Sequence, residues 1–80
     1  VETVTVLLWA AAREAAGTAR LQVAPGPLQA LLDGLAQDHP RLTALLPRCR
    51  ISVDGELVQP SALEVAGGSV VEVLPPYAGG

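Results

Sequence analysis

This chain of 80 residues contains no lysine and no phenylalanine, and only one cysteine, one tryptophan and one tyrosine. Each shortage excludes something. Without lysine, no side chain here can receive an isopeptide bond, so the chain could only donate one. All basic charge rests on Arg13, Arg20, Arg41, Arg48 and Arg50, which are scattered along the sequence rather than gathered into a stripe. With a net charge of −3, binding to nucleic acid through phosphate neutralisation is not expected. A mildly acidic surface instead suits a basic partner surface, and it also keeps a small protein soluble.

The single Cys49 excludes an intrachain disulfide framework. Its place between Arg48 and Arg50 leaves two readings, a mildly activated thiol or a small strand-edge residue, and the second is preferred. His39 has no second His or Cys at ligand spacing, so no metal site is expected. Asp33, Asp38, Glu56 and Glu64 read as solvated charge rather than paired catalytic carboxylates, and no P-loop is present. Apolar runs are too short to span a membrane and no leader pattern is visible, so a reducing cytoplasm is the expected location. Val1 is compatible with a removed initiator Met.

Half of the residues are hydrophobic, enough for one small domain with a core of Val, Leu, Ile and Ala. Val4, Val6 and Leu8 alternate with Thr3, Thr5, Leu7 and Trp9, which predicts a strand over about 2–9. Ala10–Ala16 reads as a short helix closed by Gly17. Arg20–Val23 reads as a second strand, stopped by Pro25-Gly26-Pro27. Pro27 suits the first turn of the main helix, where its missing N–H is no loss. Leu28, Leu31, Leu32 and Leu35 then form one apolar helical face, with Gly34 expected to permit close packing on the sheet. His39-Pro40 ends that helix, and Leu42, Leu45 and Leu46 suggest one more helical turn before Pro47. Asp54-Gly55, inside Ile51–Val58, is a strong hairpin signal, joining two short strands or two halves of a bent ribbon. Ala66–Ser69 is a turn, and Val70–Leu74 a final apolar strand.

A first and a last strand both rich in Val predict central, adjacent positions, parallel because the main helix crosses between them. One helix across a mixed sheet is an α+β roll, the ubiquitin-like β-grasp. If Val4, Val6, Leu8, Val71 and Val73 face that helix, then Leu7, Trp9 and Leu74 face away, with Leu57 joining them from the hairpin. Such an outer face, polar at Thr3 and Thr5 and apolar towards the end of the chain, reads as a partner surface with Trp9 as its anchor. The alternative is that Trp9 covers a core edge.

The most informative segment is Pro75-Pro76-Tyr77-Ala78-Gly79-Gly80. Two prolines stiffen the exit from the last strand. The glycines have no Cβ to collide with the walls of a narrow channel. From Tyr77 onward the extended reach is roughly 13 Å at about 3.3 Å per residue. A domain over 1–76 and a flexible carrying tail over 77–80 are expected. Glycine-rich ends are often merely disordered, but a terminal Gly-Gly just after Pro-Pro and an apolar strand favours a carboxylate presented inside another protein's active site.

The chain resembles the small sulfur-carrier proteins of molybdenum-cofactor and thiamine biosynthesis, the MoaD/ThiS family, and within it the molybdopterin synthase small subunits. The resemblance lies in Ala10-Ala11-Ala12-Arg13-Glu14-Ala15-Ala16-Gly17-Thr18, in Val53-Asp54-Gly55-Glu56-Leu57-Val58 and in Leu74-Pro75-Pro76-Tyr77-Ala78-Gly79-Gly80. Leu8 and Leu74 stand where members often carry aromatics. The resemblance implies that Gly80 is adenylated by an E1-like enzyme using ATP and Mg²⁺, converted to a thiocarboxylate, and threaded with Tyr77, Ala78 and Gly79 into the large subunit of molybdopterin synthase. There it would give sulfur to cyclic pyranopterin monophosphate, in a heterotetramer of two small and two large subunits, with no cofactor held permanently by this chain. Trp9, Leu57, Leu74, Pro75, Pro76, Leu7 and Arg13 would contact partners. Carriers for thiamine, cysteine or tRNA thiolation, and a β-grasp interaction module whose tail does no chemistry, are the competing readings.

Overall fold

The computed structural model describes residues 2–76. Tyr77, Ala78, Gly79 and Gly80 lie outside the described residues, so the expectations for the tail are not addressed by the geometry below.

Strand β1 (Val4–Leu8) runs into helix α1 (Ala10–Ala16), followed by β2 (Arg20–Val23), a two-residue β3 (Gly26–Pro27) and the main helix α2 (Leu28–Asp38). Two single 3₁₀ turns, Pro40–Leu42 and Leu46–Arg48, lead to β4 (Arg50–Val53) and β5 (Glu56–Val58). A short β6 (Glu64–Val65) precedes the last strand, β7 (Val70–Leu74). The main sheet has the order β2-β1-β7-β4-β5. β1 and β7 pair in parallel at its centre, as the Val-rich pattern of both strands predicts, and the other pairings are antiparallel. The architecture is the expected α+β β-grasp.

Alternation within the strands decides which face is dry. Val4, Val6 and Leu8 on β1, and Val71 and Val73 on β7, are buried against Leu28, Leu32 and Leu35 of α2. Burying a side chain of this kind stabilises the fold by about 1.5–3 kcal/mol before conformational entropy is charged against it. Leu31 is only partly buried at the margin of the same cluster. α1 contributes Ala12 to the core and stops at Gly17, whose φ of 77° lets its N–H reach Arg13 O at 2.9 Å.

Several local expectations shift. β1 is shorter than 2–9 at both ends. Pro27 stands just before α2, in extended backbone (φ −62°, ψ 137°), rather than within its first turn. Paired as part of β3 with Glu64–Val65, it leaves the first N–H groups of α2 to be capped from elsewhere. The 61–63 loop does this, with Leu28 N–H on Leu63 O at 2.8 Å and Gln29 N–H on Ser61 O at 2.9 Å. No side chain caps the helix, so tertiary contact replaces the local signal. Gly34 is not a packing device, since a Cβ there would meet nothing within 4 Å. The single turn expected at Leu42–Leu46 is replaced by the two 3₁₀ turns, and Leu42, the last residue of the first, is fully buried in the core.

The hairpin resolves into two strands joined at Asp54 (φ 50°) and Gly55 (φ 88°), the pair of positive φ values a type I′ turn demands. Asp54 also ties that turn to β7. Its N–H donates to Val70 O at 2.8 Å, and its Oδ1 accepts from Val70 N–H at 2.9 Å.

Candidate docking face and tail root

The strand register lays out the outer face row by row. Across the middle of the sheet run Arg20, Leu7, Glu72, Ser52 and Leu57, each opposite the next. The row nearer the end of β7 holds Leu74 opposite Arg50. Trp9 joins this row, because its N–H continues the parallel ladder to Val73 O at 3.4 Å, one step beyond the Leu8–Val73 pair. Thr5 lies in the row at the opposite end, level with Gln22 and Val70. Leu7, Trp9, Leu57 and Leu74 therefore share one face, apolar towards the end of β7, as the parity argument predicts. Trp9 is 47% exposed and Leu57 59% exposed.

Glu72 organises this face. Its Oε2 accepts a hydrogen bond from Trp9 Nε1–H at 3.1 Å, and its Oε1 one from the Ser52 hydroxyl at 3.2 Å. Ser52 is the buried polar residue of the sheet, 4% exposed, and this bond satisfies it. The indole finds its polar partner within the chain, so what remains of its surface is an apolar plate held in one orientation. At the far end, Gln22 bonds both Thr3 and Thr5, which keeps that end polar.

The backbone turns sharply directly after Trp9. Ala10 has a φ of 48°, a value a residue with a Cβ rarely adopts. Trp9 is still extended (φ −116°, ψ 150°), while its carbonyl already accepts the N–H groups of Ala12 and Arg13. Trp9 thus belongs to the sheet through its N–H and to α1 through its C=O.

β7 delivers the end of the chain from the centre of the sheet. Pro75 and Pro76 are half-buried and line a shallow cleft of about 490 Å³ with Arg48 and Arg50, so two of the five arginines stand at the tail root. Arg13 is separate from these groups. It lies exposed on α1, outside the rows of the sheet.

Cys49 is not an activated thiol. Burial pushes its pKa up, and the opposing influence of Arg48 is smaller. Its S–H donates to Leu45 O at 3.3 Å, and its side chain packs at the margin of the core. It is a small residue at the entrance to β4. Among the described residues, no group of three or more His, Cys, Asp or Glu side chains could hold a metal ion, and no helix is long and apolar enough to cross a membrane.

Sequence reasoning missed Glu72, Ser52, Arg20 and Arg50 as members of the outer face. The signal was available in part. If Val71 and Val73 point inward, Glu72 must point outward, and only the parallel pairing of β1 with β7 brings it to Trp9.

A five-stranded mixed sheet crossed by one helix defines the ubiquitin-like β-grasp class. The chain belongs to the ThiS family, whose pattern it matches over residues 6–80, and with it to the MoaD/ThiS-like sulfur carriers. None of the curated proteins matches the sequence. Among solved structures, small archaeal modifier protein 1 from Methanosarcina acetivorans is similar at a TM-score of 0.86 and 23% identity, over 99% of this chain and 97% of that one. The same-named protein from Haloferax volcanii gives 0.84 and 22%, covering 98% and 99%. A chain from the complex of subunits 1 and 2 of the molybdopterin-converting factor of Helicobacter pylori gives 0.74 and 22%, covering 98% and 99%. At these identities the likeness speaks for the fold.

Proposed function

We propose that this chain is the sulfur-carrying small subunit of a molybdopterin synthase. A ThiS-family chain ending Leu74-Pro75-Pro76-Tyr77-Ala78-Gly79-Gly80 is the observation that carries the reading. The Pro-Pro unit leaves the central strand beside an apolar face with an oriented indole, an arrangement suited to docking the domain while the tail enters a partner's cavity. The Helicobacter pylori complex is a precedent for a β-grasp chain in a two-subunit assembly.

The chemistry follows from the weakness of a carboxylate as an acyl electrophile. The Gly80 carboxylate attacks the α-phosphorus of ATP, bound with Mg²⁺ by an E1-like enzyme, and pyrophosphate leaves. The terminal sulfur of a donor protein's persulfide then attacks the acyl carbon and AMP leaves; a thiol next attacks the S–S bond of the resulting acyl disulfide, so that a disulfide forms on the donor and the thiocarboxylate is released. Its sulfur is ionised near neutral pH and strongly nucleophilic, in the manner of a thiolate. Inside the large subunit the sulfur bonds to a side-chain carbon of cyclic pyranopterin monophosphate as an oxygen substituent leaves that carbon, and hydrolysis of the resulting thioester returns the Gly80 carboxylate and leaves the sulfur on the pterin. Acid–base groups belong to that partner. This chain supplies the docking face, the stiff Pro75-Pro76 root and the slender Ala78-Gly79-Gly80 arm.

A second reading draws support from the two archaeal modifier proteins, which share the fold. The activated Gly80 would be passed to a lysine of another protein. The absence of lysine here makes this chain a donor only.

Intact mass decides between them. Incubation with the adenylating enzyme, ATP, Mg²⁺ and a sulfur donor is expected to exchange one oxygen for sulfur. Adding the large subunit and cyclic pyranopterin monophosphate should reverse that gain as molybdopterin forms. A chain that never gains sulfur, or whose sulfur is consumed only by a different acceptor enzyme, overturns the proposal. Appearance of amide-linked adducts on other proteins would favour the modifier reading.

A further inference from the structure

The docking role leaves open what the partner must present to this face, and Glu72 answers that. It sits at the centre of the outer face, with Leu7 beside it in register on β1, Leu74 two residues along β7, Trp9 on its Oε2 and Ser52 on its Oε1. A partner covering Leu7, Trp9 and Leu74 necessarily takes this carboxylate out of water. The two bonds it already receives come from neutral donors and do not cancel its charge. A carboxylate offers about four acceptor positions, so each oxygen keeps one free. Burial of an uncompensated carboxylate would oppose docking.

We propose that the synthase large subunit seats an arginine on Glu72, its guanidinium bridging both carboxylate oxygens beside the indole of Trp9. The inference rests on the reading that this face docks. Two free acceptor positions on neighbouring oxygens match the fork of a guanidinium, whereas an ammonium would engage as a point charge. The indole adds a π surface on which a planar cation stacks. Trp9, Glu72 and Ser52 already hold one another, so little side-chain freedom remains to be lost when the contact forms. Arg20 and Arg50, opposite Leu7 and Leu74, flank the carboxylate on the same face and would repel a cation placed off centre, which narrows the position it can take.

The test is the dissociation constant of the full chain with the molybdopterin synthase large subunit, at low and high salt. Glu72→Gln keeps an acceptor for Trp9 and a polar partner for Ser52 but removes the charge. Glu72→Asp keeps the charge and shortens the arm. Circular dichroism melts confirm that each variant is folded. Affinity of Glu72→Gln for the large subunit should fall by about tenfold or more, with a shallower salt dependence, while Glu72→Asp keeps the wild-type salt dependence. Binding by Glu72→Gln that is unchanged or tighter, where wild type binds, overturns the arginine and leaves the docking role standing. An Arg50→Gln variant as weak as Glu72→Gln, with no further loss on combining them, also overturns it, because the counter-charge then comes from this chain. Failure of the wild type to bind the large subunit removes the docking role and the inference together.

Discussion

Trp9 and Glu72, 63 positions apart in the sequence, are joined by a 3.1 Å hydrogen bond from the indole Nε1–H to Oε2. The bond exists because β1 and β7 lie side by side in parallel at the centre of the sheet. It converts an exposed aromatic side chain into an oriented one.

Replacing Trp9 by alanine should therefore cost binding far more than stability. The side chain is 47% exposed, and its removal leaves Glu72 with water and Ser52 for partners. Stability is expected to fall by less than about 2 kcal/mol, while affinity for the large subunit drops by about 2 kcal/mol or more, the range of an interface anchor. Denaturant titration and calorimetry measure the two. A loss of stability as large as the loss of affinity would make Trp9 a core residue.

Deleting Gly80, or adding one residue after it, should abolish sulfur loading and leave the melting temperature unaltered. The activated carbon would then be displaced by one residue, about 3.3 Å, from its place in the partner. Normal sulfur transfer by either variant would remove the tail from the mechanism.

Two glycines should respond in opposite directions to alanine. A Cβ on Gly67 would lie 2.7 Å from the carbonyl oxygen and 2.8 Å from the Cβ of Glu2. That segment is held by Gly68 N–H on Thr3 O and Thr5 N–H on Ser69 O. Gly67→Ala is expected to destabilise the fold by about 1–3 kcal/mol. Gly34, inside α2 with open space around it, should gain about 0.5–1 kcal/mol as alanine. Urea denaturation of both variants checks the contrast.

At Ala10 the helical preference of alanine is opposed by its φ of 48°. Ala10→Gly should be neutral or stabilising by up to about 1 kcal/mol, where glycine within a helix ordinarily costs about that much. A loss of that size would show that the turn after Trp9 carries no strain.

Cys49 gives the stability a dependence on pH. Burial raises its pKa in the folded chain, against a smaller lowering by Arg48. As pH rises, the unfolded thiol loses its proton first, so stability is fully present below the ordinary thiol pKa and declines above it. Cys49→Ala should flatten that decline relative to wild type in denaturant titrations between neutral and alkaline pH. Alkylation of the native thiol should also be slower than that of the denatured chain, and equal rates would contradict its burial.

Local pattern carried a large part of this protein. Alternation in Val4–Leu8 and Val70–Leu74 told the dry face from the wet one, because successive side chains in a strand must point opposite ways. Gly17 and Asp54-Gly55 marked a helix end and a turn, because each needs a backbone angle that few residues adopt without strain. The proposed chemistry rests on the Pro-Pro and Gly-Gly end, because stiffness and the lack of side chains are properties of those residues wherever they stand. Tertiary structure alone decided the rest. The β3–β6 pair, the capping of α2 by the 61–63 loop, the demand for glycine at position 67 and the bridging of Trp9 to Ser52 through Glu72 each join residues far apart along the chain. Their partners become definite only when strand order and register are set, and burial of one shared core is what sets them.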